Sequence, residues 1–274
     1  MEVLAASGQR GLGALIAKLQ YFGDMGYDTF TKCFYTSIAP ITEYGSEVWG
    51  YIKHPKLEAV QQKAMRMFLG VHKYASNEFL NGEMGWYSAK VRLKLNMLRY
   101  WNRLCTLNES RLLKNVFCKD YREKGHWSSS VEKIFVELDM HYVFQNCNPC
   151  NINECKSRLE SNYENEWKQI VCRKPKLRSY IIWKDTFGLE PYVKFNLSRC
   201  QRAILAQLFT GVELEKRICM HCKEQKIESE LHFILECECY SGQREYLFQS
   251  IDFDFDECDD NGKLKFYSSF FRDN

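Results

Sequence analysis

Residues 86–107 read WYSAKVRLKLNMLRYWNRLCTL. Val91, Leu95, Leu98, Trp101 and Cys105 recur at steps of three and four. A helix turns about 100° per residue, so these five share one face. Arg92, Arg99 and Arg103 fall on another face, at steps of seven and four, with Lys90 and Lys94 beside them. The stretch therefore predicts a long amphipathic helix with a basic stripe. At about 1.5 Å per residue, the arginines would span roughly 16 Å.

The same spacing extends outward in both directions. Leu4, Leu12, Leu15, Ile16 and Leu19 predict a first helix ending near Gly23. Phe30, Cys33, Phe34, Ile38 and Ile41 predict a second, which Pro40 should kink or restart because proline has no N–H to donate. Leu57, Val60, Ala64, Met67 and Phe68 form a further stripe, opened by His54-Pro55 and closed by Gly70. Downstream, helices are expected over 128–144, 157–171 and 197–211. Residues 145–155, QNCNPCNINEC, read as a connection. Two-residue alternation is scarce, so the fold class is mainly α.

Composition narrows the classes further. The 274 residues are 45% hydrophobic and 15% aromatic, which argues against disorder over most of the length. No apolar run reaches the roughly 18–20 residues that span a bilayer, and no signal peptide is credible, so no membrane partner is expected. The thirteen cysteines then read as free thiols and metal ligands in an intracellular, reducing compartment, nuclear or cytoplasmic. Residues 51–125 hold fifteen basic and six acidic side chains within a chain of net charge +3. Such a block suits a polyanion, or a set of solvated helix faces.

The sharpest chemical pattern is CMHCKEQKIESELHFILEC at 219–237. Two residues separate Cys219 from Cys222, nine separate Cys222 from His232, and four separate His232 from Cys237. Three thiolates and one imidazole suit a closed tetrahedral Zn2+ site, which is structural rather than catalytic. Soft thiolates disfavour magnesium and calcium. His221 and Cys239 are spare ligand types beside it. Cys147, Cys150 and Cys155 form a weaker cluster with no well-placed histidine.

EYGSEVWG at 43–50 resembles the block after the thumb in reverse transcriptases of non-LTR (LINE-type) retrotransposons. SGQRGLGALIAKL and YDTFTKCFYTSIAPI before it look like that family's helical thumb. VQQKAMRMFLGVHKYASNEFLNGEMGW at 60–86 and KLNMLRYWNRL at 94–104 are similar to the helical segment that follows, and the Cys-His cluster to the family's CCHC zinc knuckle. The resemblance implies a thumb-like helical linker region at 1–146, a connection at 147–155, and a C-terminal helical region at 156–274 with the knuckle at 219–237. The family's paired catalytic aspartates belong to a palm that would precede residue 1. Asp259-Asp260 lies in an acidic tail with Glu257 where the aromatic belongs, so no catalytic residue is expected.

Two functions compete. One is a non-catalytic segment binding RNA or target DNA through Lys90, Arg92, Lys94, Arg99 and Arg103, with Lys216 and Arg217 at the knuckle. Arginine's planar fork suits phosphate oxygens. The other is a protein-interaction adaptor with zinc serving only to fold its end, other element-encoded proteins being candidate partners. A truncated remnant without a selected role is a third reading. The stripe could instead pair with acids such as Glu154, Glu160, Glu164 and Glu166.

Overall fold

The structure, a computed structural model, describes residues 2–22, 25–177, 180–181, 184–195, 197–209, 219, 222, 226, 232 and 236–242. Its helices are α1 (Glu2–Phe22), α2 (Tyr27–Cys33), α3 (Ala39–Thr42), α4 (Ser46–Trp49), α5 (Pro55–Leu69), α6 (Asn77–Met84), α7 (Ala89–Cys105), α8 (Leu112–Arg122), α9 (His126–Glu137), α10 (His141–Gln145), α11 (Ile152–Arg173), α12 (Pro191–Lys194) and α13 (Arg199–Phe209). Among the described residues no strand forms, so the fold is mainly α. An isolated antiparallel bridge joins Met84 and Leu189. No helix there is long and apolar enough to cross a membrane.

The chain forms two compact units, one from Met1–Ala64 and Tyr87–Glu166, the other from Met65–Trp86 and Trp167–Asn274. In the first unit, Pro40 acts as its chemistry requires. Residues Phe34–Ile38 take a π-helical turn and α3 restarts with Pro40 in its first turn. The wider turn accommodates the missing N–H without ending the rod. Gly8 on α1 lets α3 approach: a Cβ there would lie 2.5 Å from Thr42 Cγ2.

The core of this unit gathers on α7. Val91, Leu95, Leu98 and Trp101 are buried with Phe117, Val131, Phe135, Phe144 and Leu159. The Trp101 ring contacts those of Phe117, Tyr121, Phe135 and Phe144 at 5.2–6.0 Å between centroids. Its indole N–H donates to Asn148 O at 2.9 Å, so burial leaves no orphan donor. Leu93, Met97 and Leu104 are buried too, so α7 is covered on more than the one expected face.

Two sequence expectations change. The helix expected over 128–144 is two helices. Asp139 adopts φ 54°, and Met140 N donates to Phe135 O, so the chain turns between α9 and α10 while Leu138 and Met140 stay buried. The stretch 147–155 lies in the first unit and supplies Cys150 and Cys155 to its core. Its Asn151 side chain accepts from Asn153 N and Glu154 N, so it caps α11 and starts that helix earlier than periodicity indicated.

In the second unit, α6 is buried along nearly its whole length, from Phe79 to Met84. Ser76 caps it by accepting from Phe79 N, and Gly85 at φ 60° ends it. A Cβ on Gly82 would meet Tyr180 Oη at 2.4 Å and Trp167 at 2.8 Å, and one on Gly85 would meet Leu189 N at 2.6 Å. Gly70, at φ 71°, closes α5 and lies against Ala203 of α13. The last two residues of the helix expected over 197–211, and Asp259-Asp260, lie outside the described residues.

Candidate metal centre and the basic stripe

Cys219, Cys222, His232 and Cys237 converge. One ligand atom from each lies within 4.8 Å of all the others, and this is the one such group among the described residues. Cys219 Sγ and Cys237 Sγ are 3.8 Å apart, and Cys222 Sγ lies 3.3 Å from His232 Nε2. Cys219, His232 and Cys237 are buried at 4%, 2% and 0% exposure, which closes the group to solvent. Two sulfurs bonded to one ion at about 2.3 Å and a tetrahedral angle stand about 3.8 Å apart, so the donor set fits a four-coordinate cation. The sulfur cluster of 147, 150 and 155 makes no such group.

Backbone geometry holds the ligands in place. Cys219 N donates to Lys226 O at 2.8 Å. Cys237 N donates to His232 O at 2.6 Å, which brings the last sulfur back over the imidazole. With Nε2 facing the sulfurs, Nδ1 faces Glu236 Oε2 at 3.5 Å, and Lys226 Nζ stands 3.7 Å from the same oxygen. A carboxylate behind a ligating imidazole fixes its ring and tautomer. Glu236 was missed at the sequence level, although its place four residues after His232 was the available signal. Burial first, and then the Cys219 thiol, raise the Cys237 thiol above its ordinary value, while a backbone N–H at Cys239 lowers it. A bound cation would reverse that balance by holding the thiolate. Cys239 itself is exposed and outside the group, and His221 lies outside the described residues.

The basic stripe divides. Arg92 is 22% exposed and donates from Nε to Glu43 Oε1 at 2.7 Å and from Nη2 to Gln61 Oε1 at 2.7 Å. Its guanidinium lies 5.1 Å over the Tyr35 ring. Lys94 donates to both carboxylate oxygens of Glu137 at 2.6 Å. Lys90 is exposed, 4.0 Å from Glu58. Arg99 and Arg103 are exposed, Arg99 donating to Asn96 at 3.0 Å. Lys216 and Arg217 lie outside the described residues. Three of the four acids named as rival partners are engaged otherwise: Glu154 pairs with Arg158, Glu160 with Lys156, and Glu164 accepts from Tyr87 at 2.6 Å.

The block 43–50 supports the same helix. Ser46 accepts from Asn96 at 2.9 Å, Glu47 O accepts from Trp127 Nε1, and Trp49 Nε1 donates to Tyr44 O. Gly45 takes φ 69°, and a Cβ on Gly50 would lie 2.5 Å from Ser46 O. Tyr44, Val48, Tyr51 and Ile52 remain exposed. His141 Nε2 meets Glu132 Oε1 at 3.0 Å.

Compared with models of protein families, with curated proteins and with solved structures, the chain matches none.

Proposed function

We propose that the chain is a non-catalytic nucleic-acid-binding segment, closed at its C-terminal end by one zinc ion on Cys219, Cys222, His232 and Cys237. The convergence of these four side chains within 4.8 Å carries the reading. The resemblance of 43–50, 60–86 and the Cys-His cluster to the C-terminal part of LINE-type reverse transcriptases supplies the ligand class, RNA or target DNA. Exposed Arg99 and Arg103 offer phosphate contacts, and exposed Tyr44 and Tyr51 offer rings for unpaired bases.

Native mass spectrometry checks the metal: one zinc per chain is expected, lost in the Cys222→Ser variant. Anisotropy of a labelled single-stranded RNA at two salt concentrations checks the ligand. Each phosphate contact removed should flatten the salt slope by about 0.7. The Arg99→Glu, Arg103→Glu double variant should therefore weaken binding steeply at low salt. Zinc bound with no salt-sensitive RNA or DNA affinity would leave the adaptor reading. That reading has its own support, since Arg92 and Lys94 are held by carboxylates and Leu112 and Val116 of α8 are exposed.

A further inference from the structure

The helix α8 is fastened to the first unit along one side. Lys114 donates to Leu104 O at 3.3 Å and to Cys105 O at 3.0 Å. The Phe117 ring lies 5.4 Å from that of Trp101, and Tyr121 Oη donates to Phe144 O at 2.8 Å. Residues 114, 117 and 121 recur at steps of three and four, so these contacts fix which face turns inward. The opposite face carries Leu112 and Val116, side by side one turn apart, at 78% and 56% exposure. Leu113 borders them and is exposed too. On α7, by contrast, Leu93, Leu95, Leu98 and Leu104 are all buried. A single exposed leucine is ordinary, but three large aliphatic side chains within residues 112–116 form a patch.

The cations around this patch are uncommitted. Arg111 precedes Leu112, and Lys119 and Arg122 follow Val116 by three and six residues. On a helix, that spacing sets Lys119 in line with the aliphatic pair and Arg122 on the flank that Arg111 shares. All three are exposed, and among the described residues none is ion-paired. Arg122 Nε donates to a backbone oxygen, Cys118 O, at 3.1 Å. The nearby acids are mostly engaged: Glu109 faces Lys114 at 3.6 Å, and Asp120 accepts from Ser128 N at 3.0 Å. That leaves Glu123 against three exposed cations. The face is apolar at its centre and net positive around it.

We propose that this face of α8 docks an acidic amphipathic helix of a partner protein. Apolar side chains one turn apart on the partner pack against Leu112 and Val116, and its carboxylates meet Arg111, Lys119 and Arg122. Charge complementarity sets the sign of the partner. The aliphatic pair sets its class. Leucine and valine offer no flat ring to an unpaired base, and phosphate oxygens gain nothing from them. A lipid surface fits poorly as well, since an interfacial helix inserts a whole apolar face and α8 has already buried its own in the core. The inference rests on neither the metal site nor the RNA reading, and it holds or fails apart from both.

The test pans a displayed library of random peptides on the full chain and discards those that also bind a Leu112→Ser, Val116→Ser variant. The expected survivors are net negative, with apolar residues three or four apart. A labelled synthetic copy of one should lose at least about tenfold in affinity to that variant and to a Lys119→Glu, Arg122→Glu variant, by anisotropy. Its binding should weaken as salt rises. A photo-crosslinking copy should attach to wild type within 111–122, which decides the matter even where a variant does not fold. No survivors, survivors that are neutral or basic, or a crosslink outside 111–122 would overturn the proposal. So would single-stranded RNA or phosphatidylserine vesicles whose binding falls as far in the serine variant, because the face would then belong to a polyanion or a membrane.

Discussion

Trp101 in the first unit and Glu83 in the second are both buried, at 0% and 1% exposure, and their surroundings are opposite. Trp101 is ringed by four aromatic side chains and needs one hydrogen bond. Glu83 sits among ionisable groups. Tyr192 donates to its carboxylate, Tyr180 is the other hydroxyl beside it, and Lys184 and Glu190 act on it as charges. Lys184 is itself ion-paired with Glu190 and donates to Gly188 O at 2.6 Å. The first centre is held by apolar burial and ring geometry, which ignore pH. The second is a buried polar network, in which the Tyr180 hydroxyl has no hydrogen-bond partner among the described residues and whose strength depends on which member carries a proton.

The largest effect should come from Trp101→Ala. Removing a fully buried indole costs about 3–5 kcal/mol and leaves Asn148 O without its donor. Amide hydrogen exchange in α7 and α9 should speed by several hundredfold or more at any pH from 5 to 8. Exchange that stays slow would mean the ring cluster is not what holds this unit.

Glu83 should answer to pH instead. Burial, outweighing the attraction of Lys184, raises its pKa from 4.5 to about 7. The folded state thus binds a proton that the unfolded chain has released. Stability from this group is full below pH 4.5 and is lost as pH rises through about 7, on the order of 3 kcal/mol in all. Glu83→Gln keeps an acceptor for Tyr192 and cannot ionise, so it should remove that slope. Hydrogen exchange of α6 amides at pH 5 and pH 8 reads the difference. Equal pH dependence in wild type and variant would place the titration elsewhere.

This contrast also marks what the sequence discloses. The Trp101 side was legible because apolar side chains repeat every three to four residues along α7, and burial follows that period. The four members of the Cys-His group were legible because their spacing in the sequence matches that of a four-ligand site. Glu83 was not, since one acid within GEMGW carries no periodic signal and its partners lie about a hundred residues away. Once folded, that block explains itself: Gly82 and Gly85 are sites of close approach, Glu83 is the network's acid, and Trp86 is buried. The stripe was half legible. Its phase on α7 was right, but the burial of Leu93 and Met97 on a second flank puts Arg92 and Lys94 against neighbouring acids.

The smallest effect concerns Arg92 itself, which lies between the two regimes. Its pair with Glu43 is partly buried, with side chains 22% and 15% exposed. An exposed pair contributes close to nothing, and a buried one costs several kcal/mol when only one partner is removed. Here Gln61 Oε1 and the Tyr35 ring would keep part of the guanidinium's contacts after Glu43 is gone. A double-mutant cycle of Arg92→Ala and Glu43→Ala should therefore give a coupling of about 1 kcal/mol, read by exchange of α7 amides. It should change little between low and high salt, because partly buried charges are poorly screened. A coupling near zero would mean that the guanidinium is not committed to Glu43. Arg92 would then rejoin Arg99 and Arg103 as a phosphate contact, and Arg92→Glu should lower RNA affinity as much as the exposed pair does.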